Sequence, residues 1–226
     1  DLPSGTPRRL TPDSFVPFEY APAWSPDGST IAFTSWEDSV SGHLWKVPAT
    51  GGAPQRLTRA AGEYIHPSWS RDGREIVLSR GAGESRHGRG VLWNQFWDLV
   101  RVDANGGDAQ LVTRVAMSAD GSSASVFNSI RNQIVRPAYG PDGRIFYPHL
   151  SSSGSTTDTA LYSTRPAGSD RRAHLSFPSA DEAAVSPAGQ WVAFPESDTA
   201  GVTPLPHEET AGAQMSNDRQ RERHSA

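Results

Sequence analysis

A five-residue corner that recurs along the chain constrains the fold more than any other feature. Trp24-Ser25-Pro26-Asp27-Gly28 precedes Ile31-Ala32-Phe33, and Trp69-Ser70-Arg71-Asp72-Gly73 precedes Ile76-Val77-Leu78 at the same offsets. Tyr139-Gly140-Pro141-Asp142-Gly143 and Val185-Ser186-Pro187-Ala188-Gly189 are third and fourth copies, and the closing glycines stand 45, 70 and 46 residues apart. Proline presets φ at the first turn position, aspartate can bond the backbone ahead of it, and glycine takes the left-handed conformation that closes the turn. The residues that follow alternate apolar with small or polar, the period of a half-buried strand.

Each unit also has a second half. Leu44-Trp45-Lys46-Val47, Gly51-Gly52 and Gln55-Arg56-Leu57-Thr58 in the first unit match Leu99-Val100-Arg101-Val102, Gly106-Gly107 and Gln110-Leu111-Val112-Thr113 in the second. The third keeps Leu161-Tyr162-Ser163, Gly168 and Arg172-Ala173-His174-Leu175. About four short strands in about 45 residues is the size of one β-propeller blade. The expectation is an all-β propeller of about four recognisable blades over residues 5–206, with units near 23–58, 66–113, 136–177 and 184–205. A β-sandwich with similar hairpins is the alternative. Arg71 replaces the turn proline, Ala188 replaces the turn aspartate, and residues 114–137 are inserted between the second and third units.

Composition agrees with this. Gly and Pro account for 39 of 226 residues, a density of breakers that long periodic helices do not survive. The absence of cysteine excludes disulfides, thiolate nucleophiles and cysteine-based metal sites. A net charge of −4 gives no electrostatic reason to expect nucleic acid. No apolar run is long enough to span a membrane.

The combination of aromatic-Ser-Pro-Asp-Gly, Ile-Ala-Phe, Leu-Trp-x-Val, Gly-Gly and Arg-Leu-Thr resembles the WD-repeat-like propeller repeats of the TolB family, over about residues 5–206. Such repeats occur in TolB itself, in prolyl-oligopeptidase-type serine peptidases and in propellers that precede metal-dependent amidohydrolase domains. Three stretches resemble the amidohydrolase-associated kind: 33–45, Arg171-Arg172-Ala173-His174-Leu175, and Trp191-Val192-Ala193-Phe194 running on to Val202-Thr203-Pro204-Leu205-Pro206. The resemblance implies a non-catalytic module that shapes substrate access or mediates protein contacts, in a periplasmic or secreted setting. Its partner would be a catalytic domain of the same polypeptide or a separate protein. TolB-type rings exceed four blades, so an incomplete propeller is expected. Arg8-Arg9-Leu10-Thr11 matches the outer strand of the other units and in a closed ring would complete the last blade beside residues 202–205. Residues 207–226, charged and nearly free of apolar side chains, are expected to be a disordered polar tail.

Motifs for chemistry are missing. The seven histidines (43, 66, 87, 149, 174, 207 and 224) include no pair within four residues, so neither His-x-His nor His-Glu-x-x-His occurs. No Gly-x-Ser-x-Gly nucleophile elbow is present, and Ser151-Ser152-Ser153-Gly154-Ser155 reads as a solvated hairpin connection. The expectation is therefore no catalytic residue, metal ligand or cofactor in this chain, with a metal such as zinc reserved for a separate catalytic domain. Trp24, Trp45, Trp69 and Trp191 hold repeat positions expected to pack between blades. Loops gather at the ends of a propeller, which leaves Trp36, His43, Arg86, His87, Trp93 and Trp97 as the candidate ligand or partner contacts.

Overall fold

A computed structural model describes residues 5–88, 94, 96–116, 135–153, 156–178, 183–186, 188–196 and 199–205. The strands form four antiparallel sheets. The first contains β1 (Phe18–Trp24), β2 (Thr30–Trp36), β3 (Leu44–Pro48) and β4 (Gln55–Arg56); the second, β5 (Tyr64–Trp69), β6 (Glu75–Gly81), β7 (Phe96–Asp103) and β8 (Gln110–Ala116). The third contains β9 (Ala138–Tyr139), β10 (Ile145–Ser153), β11 (Thr156–Thr164) and β12 (Arg172–Pro178); the fourth, β13 (Ala184–Val185), β14 (Trp191–Glu196) and β15 (Thr199–Pro204). In every sheet the strands lie in chain order, and β1, β5 and β9 run beside one another as the innermost strands. The result is the expected four-bladed propeller architecture.

The repeated corner shows why its residues recur. The Ser25 hydroxyl donates to Asp27 Oδ1 (2.6 Å), Asp27 accepts the Ser29 amide (3.0 Å), and Ser25 Oγ accepts the Thr30 amide (3.0 Å). Ser70, Asp72, Arg74 and Glu75 repeat this network, and Gly73 closes the turn at φ 70°, so Arg71 in place of proline leaves the corner unchanged. Where Ala188 replaces aspartate, Ser186 Oγ still accepts the Trp191 amide (3.1 Å).

Strand alternation sends side chains to both faces of a blade. Ile76 and Leu78 of β6 join Ala32, Leu44 and Leu57 in the layer between sheets one and two. Val77 turns the other way, to join Leu99, Val112, Ile145 and Tyr147 between sheets two and three. A third layer holds Phe146, Leu161, Val192 and Leu205. A sheet with both faces buried is a blade inside a stack, which disposes of the sandwich, where each sheet has one outer face.

Three expectations are corrected. Residues 8–11 form no strand and lie against the first sheet: Leu10 O accepts the Gly52 amide (3.0 Å) and Arg8 donates to Thr50 O (3.1 Å). Among the described residues the fourth sheet has three strands, with β15 at its edge. Of the four repeat tryptophans, Trp69 packs between sheets, donating to Ala23 O (3.1 Å), and Trp45 is half-buried beneath Phe15. Trp24 and Trp191 are 62% and 48% exposed instead. Trp24 pairs with Ile31, opposite to the Ala32 face, and Trp191 alternates with the buried Val192, so both point away from the stack. The serine-rich stretch is strand up to Ser153, which pairs with Thr156; residues 154–155 lie outside the described residues. The tail 207–226, most of the insertion (117–134) and Trp93 lie outside the described residues.

Candidate functional site

The end of the stack opposite the Asp-Gly corners carries three converging segments: the β2–β3 turn, the link from β4 to β5, and the start of the β6–β7 connection. The β2–β3 turn folds on itself, with Glu37 O accepting the amides of Val40 (3.2 Å) and Ser41 (2.7 Å). Trp36 ends β2 with its indole donating to Asp38 (2.8 Å). Gly42 and Gly62 then exchange two amide–carbonyl bonds (3.0 and 2.9 Å), which ties the first blade's loop to the entry of the second.

Next to this tie lies Glu63, whose side chain is buried although it carries a carboxylate. A buried carboxylate needs donors, and it has two: Asn94 Nδ2 (2.8 Å) and the Ser85 hydroxyl. Asn94 Oδ1 in turn accepts the amides of Gly83 (3.1 Å) and Glu84 (3.4 Å), holding a one-turn 3₁₀ helix over Glu84–His87. These contacts wall a cavity of about 480 Å³ lined by Gly62, Glu63, Arg80, Gly83, Arg86 and His87.

Its electrostatics are one-sided. Arg80 is committed to Asp98 (3.0 Å), which also takes a bidentate pair from Arg114 (2.7 and 3.1 Å). Burial pushes the Asp98 carboxyl up, but the hydrogen bonds from Arg114 and Arg80 outweigh it and hold the group below its ordinary range. Arg86 and His87 have no hydrogen-bonded or ionic side-chain partner among the described residues. The cavity therefore presents unspent positive charge beside a satisfied, buried carboxylate.

The six sequence candidates separate accordingly. Arg86 and His87 line the cavity, and Trp36 and His43 border the neighbouring turn. His43 is engaged within its blade: Nδ1 lies 3.0 Å from Thr58 Oγ1, and burial, then the charge of Arg56, lowers its pKa. Trp97 is fully buried between the second and third sheets and touches no ligand space, which removes it from the contact set. Sequence reasoning missed Glu63 and Asn94, which carry no motif.

It also missed a polar network in the third blade. Ser163 Oγ lies 2.7 Å from His174 Nε2 and accepts from Arg144 Nε (2.8 Å). This is a Ser–His pair without nucleophilic geometry, because Ser163 is fully buried and a guanidinium donates into its hydroxyl oxygen. Among the described residues no cluster of three metal-ligating side chains forms.

Comparison with known proteins places this geometry in a lineage. An uncharacterized peptidase, YuxL, of Bacillus subtilis is 29% identical over 147 residues, covering 58% of this chain and 22% of its own. The Tol-Pal system protein TolB of Francisella tularensis is 26% identical over 207 residues, covering 81% of this chain and 47% of its own. Thus the chain spans under half the length of these relatives. Among solved structures, TolB from Acinetobacter baumannii superposes with a TM-score of 0.57 at 15% identity, over 84% of this chain and 41% of that one. The propeller domain of the Trilobed protease from Pyrococcus furiosus gives 0.52 at 13% identity, over 82% and 54%. At these identities the two structures speak to the fold alone. The lipoprotein LpqB β-propeller domain family matches residues 19–142, from the first strand through the third corner, and the chain belongs to that family.

Proposed function

We propose that this chain is a non-catalytic recognition module of the cell envelope that holds an acidic segment of a partner protein, or of an adjoining domain, at its loop end. The observation that carries the reading is the cavity beside Gly62, into which the Arg86 guanidinium and the His87 imidazole project from a braced 3₁₀ turn. Charge-assisted hydrogen bonds from such groups select carboxylates. The word lipoprotein in the family description supports the envelope setting, as does similarity to a Tol-Pal system protein. Among the described residues no helix is long and apolar enough to cross a membrane. The reading requires no cofactor in this chain, and it takes the TolB-like alternative over the amidohydrolase-associated one because a TolB and a peptidase stand among the matched relatives.

Panning a random-peptide phage library against the purified chain tests it. Selected peptides are expected to be rich in Asp and Glu, and to lose at least tenfold in affinity toward an Arg86→Ala, His87→Ala double variant, since loss of even one charged hydrogen bond of roughly 1.5 kcal/mol accounts for that factor. Peptides without acidic residues, or affinity unchanged in the double variant, would remove the proposal. Similarity to a peptidase favours a second reading, in which the same end faces a hydrolase domain of the parent polypeptide. That reading is supported if selected peptides match a segment of such a domain.

A further inference from the structure

Residues 8–11 form no strand, yet they hold the place of one. The second hairpin of the second unit meets the outer strand of the first: the Gly107 amide donates to Leu57 O (2.8 Å) and Gln55 Nε2 to Asn105 O (3.2 Å). One unit earlier the same two bonds recur, from the Gly52 amide to Leu10 O (3.0 Å) and from the Arg8 guanidinium to Thr50 O (3.1 Å). Arg8-Arg9-Leu10-Thr11 thus occupies the position that Gln55-Arg56-Leu57-Thr58 occupies one blade later. Gln55 and Arg56, however, belong to a sheet: they pair with Lys46 and Trp45, and the Leu57 amide donates to Leu44 O (2.8 Å). Residues 8–11 have no partner strand among the described residues. The first sheet is met by an outer strand that lacks the rest of its blade.

At the other end of the stack the deficiency is reversed. Among the described residues the fourth sheet stops at β15, so it is a blade that lacks an outer strand. Matching the corners Ser25 to Gly28 and Ser186 to Gly189 sets Trp191 in the place of Thr30. The ladders β2–β3 and β14–β15 then set Val202 in the place of Lys46, Gly201 in that of Trp45 and Ala200 in that of Leu44. The faces correspond too. Trp69 packs on the first sheet with its indole donating to Ala23 O, whereas Trp24, at the same position one unit earlier, is exposed. The residue that answers to Ala23 in the fourth unit is Ala184, also exposed. The chain's own fourth sheet does not cover the first, since Trp24, Trp191 and Val202 are all open.

We propose that a second copy of the chain fills this place, head to tail: the fourth sheet of one copy docks on the first sheet of the next, and residues 8–11 of the latter become the outer strand of that fourth sheet. The contact continues the interface that the chain already builds between its first and second sheets, with the same corner, the same tryptophan position and the same hairpin glycine. Its register follows from β3 and β4. Arg8 stands opposite Val202 and Arg9 opposite Gly201, while the Leu10 amide donates to Ala200 O and the Trp24 indole to Ala184 O. Both the open edge of β15 and the apolar face around Trp24 are removed from water in one step. Such a contact is heterologous, so it closes a ring where the rotation returns to its start and otherwise extends from copy to copy.

The chain has no cysteine, so thiols can be placed one at a time. Arg8→Cys and Val202→Cys are changes at exposed positions whose backbones, once paired across a ladder, lie within disulfide reach. Mixed in equal amounts and oxidised with diamide, the two single variants are expected to yield a disulfide-linked pair on a non-reducing gel, far in excess of what either yields alone. Sedimentation equilibrium of the unaltered chain is expected to give a mean mass above the 24.3 kDa of one copy that rises with concentration. Trp24→Ala is expected to weaken this association at least tenfold. Dilution separates the copies, and urea unfolding there shows that the variant folds as the parent does. A mass that levels off at two copies assigns a closed ring, and one that keeps growing assigns an open array; either upholds the proposal. It is overturned by the mass of one copy at every concentration, by a mixture that links no better than its components, by association that Trp24→Ala leaves unchanged, or by a double Arg8→Cys, Val202→Cys variant whose disulfide forms within a single chain. None of these outcomes bears on the loop-end cavity.

Discussion

Asp27 stands on the surface, yet its carboxyl is pulled down to about 2 by hydrogen bonds, first from the Ser25 hydroxyl and then from the Ser29 amide and hydroxyl. Asp72 is lowered by the Ser70 hydroxyl and then the Arg74 amide in its own corner, and Asp170 falls to about 2 through Arg172 and Arg144. The folded values lie below the ordinary 3.8, so the stabilisation is complete above that pH and is lost as pH falls toward 2. Urea midpoints are therefore expected to decline between about pH 4 and 2, and to decline less in an Asp27→Asn, Asp72→Asn double variant; equal slopes would falsify the assignment. At this scale the sequence is half legible. Proline, aspartate and glycine announce a turn, but the serine that bridges the aspartate to the next strand's amide emerges only from geometry. Trp97 reads from sequence as a residue of a propeller-end loop, but β7 begins one residue before it, at Phe96. Leu99 is buried, and Trp97, two positions earlier in the same strand, had to share its face.

Elements differ in what they conceal. Short runs such as Ile31-Ala32-Phe33, Ile76-Val77-Leu78 and Val192-Ala193-Phe194 locate β2, β6 and β14 from sequence, because each buries branched or aromatic side chains. β10 and β11 escape it, since serines and threonines extend the hairpin past the point where an apolar pattern ends. The bulges of β1 and β5 are equally silent, though a proline at the same place in both marks where ladder bonding breaks. Which face of an element is covered decides the cost of a substitution. Trp69 and Trp24 hold one repeat position, but Trp69 packs against the layer between the first two sheets while Trp24 faces out. Trp69→Ala is expected to cost about 2–4 kcal/mol and Trp24→Ala no more than about 0.5 kcal/mol, read from urea unfolding. Comparable losses at both positions would mean that the outward face of β1 is covered in solution.

Across the whole molecule, the number of sheets and their order could be read from the repeat; the position of residues 8–11 could not. They resemble an outer strand in sequence but form none, and because every sheet edge offers the same row of amides and carbonyls, sequence does not say which sheet such a segment lies against. The two outermost faces, which carry Trp24 at one end and Trp191 and Val202 at the other, are apolar surface of the kind that promotes association. Trp24→Ser combined with Trp191→Ser and Val202→Ser is expected to reduce concentration-dependent sedimentation and dye binding without lowering the unfolding midpoint. Unchanged sedimentation would show that these faces do not drive association.

The contacts at the second hairpin of each unit carry a consequence for descent. The Gly52 amide bonds Leu10 O, the Gly107 amide bonds Leu57 O (2.8 Å), and Gly168 approaches Val112 so closely that any Cβ would strike its carbonyl. At these hairpins each of the first three units meets what precedes it through main-chain contacts. A duplicated gene segment encoding one unit would thus arrive already fitted to whatever stands before it, leaving its side chains free to be recruited for new partners.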